Sequence, residues 1–125
     1  MTSSEAFSRI LIDKELEYAK WDLLDDKQVT FEYHNASGRA DYLLKDKNGG
    51  VLCVLEAKRE DIDPYDAKEQ ARGYAENLKA PFVILSNGKV HYFWNYERRD
   101  EKDAGRIERL PSREDMERQR LKNLQ

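Results

Sequence analysis

The chain has 125 residues, of which 38% are charged and 39% apolar, the latter including two tryptophans, seven tyrosines and four phenylalanines. That length fits one domain around a single core, and that balance excludes an intrinsically disordered chain. A net charge of −3 counts against a strong electrostatic grip on nucleic acid, unless a bound cation inverts the local charge or another domain or subunit supplies affinity. No apolar run approaches the roughly 20 residues of a membrane span, and the N-terminus lacks the basic and apolar regions of a secretory signal. The one cysteine, Cys53, reads as a small core residue. A single thiol argues against a disulfide framework or a zinc site and suits the cytoplasm.

Residues 3 to about 20 read as a helix, capped by Ser3 or Ser4, with Glu5 in the first turn where the helix dipole favours an acid. Phe7, Ile10, Leu11, Leu16 and Ile12 supply its apolar stripe, and Trp21 and Leu24 continue the burial past its end. Val29 to Tyr33 alternates as a short strand, followed by a loop from His34 to Gly38. A hairpin comes next. Asp63-Pro64 then opens a second helix, an N-cap followed by proline at the first helical position. It runs to Leu78 or Lys79, with Ala67, Ala71, Tyr74, Ala75 and Leu78 on its apolar side. Phe82 to Leu85 is a short apolar run bounded by breakers, hence a buried strand. Ser86-Asn87-Gly88 turns the chain into a strand from Lys89 to Asn95, on which Tyr92 and Trp94 alternate with Tyr96 to cover the sheet. Residues 1–96 form the core in this reading. Residues 97–125 are a charged C-terminal extension in which Ser112 starts a short helix. The order α-β-β-β-α-β-β, with a helix crossing over between two strands, implies an α/β fold with a mixed sheet of four or five strands flanked by helices.

The hairpin spans residues 39 to 58. Asn48-Gly49 is the strongest short hairpin signal, because a type I′ turn needs positive φ at both central residues. With those two residues as the loop, Lys47 pairs with Gly50. Counting back, Leu43 faces Val54, Asp41 faces Glu56 and Arg39 faces Lys58. Asp41, Glu56 and Lys58 then share one face, with opposed Cβ atoms roughly 5 Å apart. The apolar residues divide into Tyr42, Leu44, Cys53 and Leu55 on one side and Leu43, Leu52 and Val54 on the other. Two carboxylates forced together in a half-buried setting need a cation, a shared proton or a basic neighbour. A hard divalent ion such as Mg²⁺ fits, since it takes oxygen ligands and often only one or two protein carboxylates.

Asp41, then Glu56-Ala57-Lys58 at a strand end, then a crossover helix carrying Gln70-Ala-Arg-Gly-Tyr74, resembles the PD-(D/E)xK nuclease superfamily. The Gln-x-x-x-Tyr addition is similar to the N-terminal nuclease domain of the motor (restriction) subunit of type I restriction enzymes. So is the opening stretch with Glu5, Arg9, Asp13 and Trp21. Ala40 stands where the motif's name has proline. The resemblance implies a restriction-endonuclease-like core and Mg²⁺-dependent hydrolysis of DNA. Asp41, Glu56 and the Ala57 carbonyl would hold the metal and Lys58 would act beside the water. Gln70 and Tyr74 would brace the site or contact DNA, and Glu5 would be an auxiliary acid. It implies double-stranded DNA as partner, along with methyltransferase and specificity subunits. ATP would act only through a motor domain, because the chain has no Gly-x-x-x-x-Gly-Lys-Ser/Thr loop.

Blander readings stand beside these. Glu-x-Lys at a strand end is often a surface ion-pair cluster, and Arg39, Arg59 and Arg72 are solvated charge as readily as phosphate contacts. Two other functions share the pattern: a non-catalytic DNA-binding or interaction module that keeps the fold, and a structure-specific nuclease such as a junction resolvase.

Overall fold

A computed structural model describes residues 3–36, 38–98 and 100–125. In chain order the elements are α1 (Ser3–Tyr18), β1 (Val29–Asn35), β2 (Gly38–Lys45), β3 (Val51–Ala57), a single 3₁₀ turn (Pro64–Ala67), α2 (Lys68–Leu78), β4 (Phe82–Ser86), β5 (His91–Trp94), β6 (Gly105–Ile107) and α3 (Arg113–Asn123). The strands form one mixed sheet in sequence order, β1 to β6. Among the described residues only the β3–β4 pair is parallel. That is the pair joined by the crossover through α2, as a parallel pair requires.

The sheet therefore has six strands where the sequence implied four or five. The added strand, β6, is three residues in a charged stretch with no apolar alternation to mark it. The segment after Tyr96 also supplies α3, opened by a capping box between Ser112 and Asp115. Leu110 and Met116 from this segment are buried in the same cluster as α1.

Two apolar layers sandwich the sheet. On one face Ile12 and Leu16 of α1 pack with Tyr42, Leu44, Cys53, Leu55, Phe82 and Ile84. On the other, Ala71, Tyr74 and Ala75 of α2 pack with Ala40, Leu43, Val54, Val83, Leu85 and Trp94. Tyr92 and Tyr96 cover this second layer. Cys53 is free and buried.

Three local expectations are corrected. The hairpin loop is Lys47-Asn48-Gly49 rather than Asn48-Gly49: the Asp46 N–H donates to the Gly50 carbonyl, and the Asp46 carboxylate takes the N–H groups of Asn48 and Gly50. This side-chain cap outcompetes the two-residue turn. The extra loop residue is absorbed by a bulge, since Leu44 pairs with Cys53 but Lys45 with Val51. Leu52 is the surplus residue. It consequently joins Cys53 in the α1 layer instead of packing with Val54 on the α2 side.

The inner face of α1 is also rotated from the expected stripe. Ser8, Ile12 and Leu16 are buried, while Phe7 is 43% and Ile10 55% exposed. Trp21 is buried, its indole N–H on the Pro111 carbonyl, but Leu24 is 97% exposed. Finally, β1 runs on to Asn35, so His34 pairs in the sheet rather than in a loop.

Candidate active site

The site lies where α1 crosses the ends of β2 and β3. The bulge at Leu52 compensates the longer turn, so the register beyond it is the expected one: Leu43 faces Val54 and Tyr42 faces Leu55. The ladder stops there. One residue on, the Asp41 carboxylate replaces a strand carbonyl and accepts the Ala57 N–H at 2.7 Å. The strands part at this point, and a carboxylate occupies the gap.

Asp41 is 1% exposed and Glu56 7%. Burial foremost, then the neighbouring Asp41 carboxylate, hold the Glu56 pKa well above the ordinary carboxylate range, against smaller opposing effects of Arg39 and Lys58. Crowded carboxyls of this kind favour either a retained proton or a cation between them. Asp41 meets cationic partners as well: Arg9 Nη2 lies 2.8 Å from its Oδ1 and Arg39 Nη2 3.6 Å away.

Asp41 opens onto a polar cavity of about 360 Å³ lined by Glu5, Ser8, Arg9, Arg39, Ala57, Lys58, Arg59 and Ile62. The structure thus gathers Glu5, Asp41, Ala57 and Lys58 around one space, with Glu56 beside Asp41. Lys58 is fixed through its backbone. Its N–H donates to the Ser86 carbonyl at 2.8 Å, and its carbonyl accepts the buried Ser8 hydroxyl at 2.7 Å. The loop that follows is clamped by Asn87, whose side-chain NH₂ donates to the carbonyls of Glu60 and Ile62.

Gln70 and Tyr74 come from α2, on the other layer, and do not line the cavity. Gln70 is exposed. Tyr74 is buried against Gly38, and a Cβ at Gly38 would meet its ring at 3.0 Å. Its hydroxyl has no hydrogen-bond partner among the described residues. Burial foremost, then the nearby Tyr33 and Glu56, raise the Tyr74 pKa. Arg72 is neutralised along its own helix by Glu69 and Glu76.

Sequence reasoning placed no role on Arg9, Ser8, Asn87 or Glu32. Ser8 carried a signal, a polar residue at i−4 from Ile12 on the inner face of α1. Glu32 carried none.

The donors present suit a hard cation: two carboxylates and backbone oxygens, with no soft ligand between them. Among the described residues no group of three or more His, Cys, Asp or Glu is arranged to hold a metal. Two protein carboxylates are within the number that Mg²⁺ commonly takes. The Arg9 guanidinium already places positive charge on Asp41, as an ion would.

A family model described as the type I restriction enzyme R protein N terminus (HSDR_N) matches residues 5–111. Among solved structures, a fragment of an HsdR subunit of a type I restriction enzyme from Vibrio vulnificus YJ016 superposes with a TM-score of 0.81 at 24% identity. It covers 98% of this chain and 26% of that one. The type IIG restriction endonuclease BpuSI superposes with a TM-score of 0.52 at 21% identity, over 74% of this chain and 11% of that one. Both likenesses are of fold, and the chain spans about a quarter of the first protein's length. No curated protein matches. No helix of the described residues is long and apolar enough to cross a membrane.

Proposed function

The chain belongs to the family of type I restriction enzyme R protein N-termini, and on that premise we propose that it is a Mg²⁺-dependent endodeoxyribonuclease domain that hydrolyses phosphodiester bonds of DNA. One observation carries the reading: Asp41 and Glu56, two buried carboxyls close enough that the Asp41 charge raises the Glu56 pKa, sit where β2 and β3 part, and Asp41 faces a polar cavity beside Lys58.

Asp41 and Glu56 would hold the ion together with the Ala57 carbonyl. In an extended strand a residue's N–H and C=O point to the same side, and the Ala57 N–H points at Asp41. When bound, Mg²⁺ supplies Lewis acidity toward a phosphoryl oxygen and lowers the pKa of its water. Lys58, held through both of its backbone groups, lines the same cavity, where its ammonium would orient the attacking water or offset developing charge. Arg39 and Arg59, half-exposed on the cavity lining, meet the flanking phosphates. Glu5 acts as an auxiliary acid from the first turn of α1. Tyr74, packed against Gly38, braces the start of β2, the strand that carries Asp41, and Gln70, exposed one turn earlier, contacts the DNA backbone.

The partners of this reading are double-stranded DNA and, in a restriction complex in the cytoplasm, methyltransferase and specificity subunits. ATP acts through a motor domain rather than through these residues.

The test is nicking of supercoiled plasmid at low ionic strength, with and without Mg²⁺, by the wild type, Asp41→Ala and Lys58→Ala. The expected result is Mg²⁺-dependent nicking that falls at least about 100-fold in each variant, the low end of what a positioned acid–base or electrostatic group contributes. Nicking that survives both substitutions would sink the assignment.

A further inference from the structure

Arg9 is held more elaborately than a surface arginine needs to be. Its Nη2 lies 2.8 Å from Asp41 Oδ1 and 2.6 Å from Glu32 Oε1. Its guanidinium carbon stands 5.4 Å from the centre of the Tyr42 ring, within cation–π range. That ring is itself fixed, because the Tyr42 hydroxyl donates to Asp13 at 2.7 Å.

Glu32 keeps its place at the expense of its backbone. It stands in β1 between the paired positions Phe31↔Tyr42 and Tyr33↔Ala40, directly across from Asp41. Its φ is +52, in the left-handed region that costs a residue with a side chain about 1–2 kcal/mol. Strain of this kind persists only where the surroundings over-determine it, and it gathers at functional sites. Here the irregularity accompanies a second carboxylate on Arg9, one strand away from the first.

We propose that Arg9 is a positioning residue with two seats. Without a divalent cation it bridges Asp41 and Glu32 and neutralises the buried Asp41 carboxylate. When a cation takes Asp41, two positive charges compete for one carboxylate, and Arg9 withdraws to the second seat, Glu32 and the Tyr42 face. From there its remaining donors face the cavity. A planar guanidinium with five N–H groups suits bidentate contact with a backbone phosphate of DNA. Glu32 is then the retainer that keeps Arg9 at the site after the metal has displaced it. The proposal rests on the reading of Asp41 as a metal ligand.

Calorimetric titration of the chain with Mn²⁺ alone tests it without reference to cleavage. Removing Arg9 removes a competitor for Asp41, so Arg9→Ala and Arg9→Gln are expected to bind Mn²⁺ roughly tenfold more tightly, on the scale of one charge-assisted hydrogen bond. Arg9→Lys keeps the competing charge and stays near the wild type. Glu32→Gln takes away the second seat and weakens Mn²⁺ binding several-fold. A merely structural Arg9 gives the opposite sign, because loosening the site lowers metal affinity. Arg9→Gln preserves a hydrogen bond to Asp41 and serves if Arg9→Ala fails to fold. Unchanged or weaker Mn²⁺ binding in the folded Arg9→Ala or Arg9→Gln variant overturns the two-seat proposal. Asp41→Ala separates this failure from that of the nuclease reading. If that variant loses Mn²⁺ binding while the Arg9 variants match the wild type, only the seats are wrong. If the wild type binds no Mn²⁺, or Asp41→Ala binds it equally well, both fall.

Discussion

Two buried polar residues behind the site show how individual groups set its geometry. Ser86 sits on β4, with its carbonyl on the Lys58 N–H and its hydroxyl 2.7 Å from His91 Nδ1. Burial holds the His91 pKa below its ordinary value, so the folded chain favours the neutral imidazole. A depressed folded-state pKa contributes stability that is present above the unfolded value of about 6.5 and is lost as pH falls through the folded one. Glu56, with its pKa raised, acts in the opposite sense over this range, so His91 is read as a difference: from pH 7.5 to pH 5.5 the melting temperature of the wild type should fall relative to that of His91→Phe. Parallel slopes in the two thermal melts would mean that His91 does not report this burial. Asp41 and Glu56 were legible in the sequence because the hairpin pattern forces them together. The Ser86–His91 pair was not, since the Ser86-Asn87-Gly88 turn marked where the two strands meet without fixing which residues face each other.

Gly88 shows the same division at the level of whole elements. The expected break at Ser86-Asn87-Gly88 is present, with Gly88 at φ +91. What the sequence did not show is its neighbour. A Cβ there would lie 2.8 Å from Leu11 Cβ and 3.1 Å from the Ser8 carbonyl. Gly88 is thus the seat of α1, the helix that carries Glu5, Ser8 and Arg9 to the cavity. Gly88→Ala combines backbone strain with overpacking, each costing about 1–3 kcal/mol. It should lower the melting temperature by several degrees and reduce metal-dependent nicking with it, whereas Gly73→Ala, where a Cβ meets nothing within 4 Å, should not. Equal melting temperatures for Gly88→Ala and the wild type would contradict this seating. The hairpin itself was half legible. Asn48-Gly49 marked the turn, but the Asp46 carboxylate selected a longer loop, and only the bulge at Leu52 returned Leu43 and Tyr42 to the expected register, one residue short of Asp41. Helix α1 was legible as a helix and half read in facing: Ile12 and Leu16 of the expected stripe are buried, whereas Phe7 and Ile10 are exposed and Ser8 takes the inner position.

Across the whole molecule, the crossover through α2 makes β3 and β4 the parallel pair of the sheet. The end of β3 delivers Glu56, Ala57 and Lys58, β2 delivers Asp41, and α1 closes the cavity from above. This layout was readable from the order of apolar runs and breakers. Strand β6 and the packing of α3 were not, because the nine charged or polar residues of α3 conceal its one buried residue, Met116. Against a net charge of −3, the cavity gathers Arg9, Arg39, Lys58 and Arg59 around Glu5 and Asp41, which is where the nuclease reading has the phosphate enter. The nuclease reading depends on one point in this arrangement, the gap between β2 and β3. Anomalous X-ray scattering from crystals of the chain grown with Mn²⁺ examines that point. The reading predicts a peak within coordination distance of the carboxylates of Asp41 and Glu56 and of the Ala57 carbonyl. A peak elsewhere on the molecule, with that gap empty at saturating Mn²⁺, would contradict it.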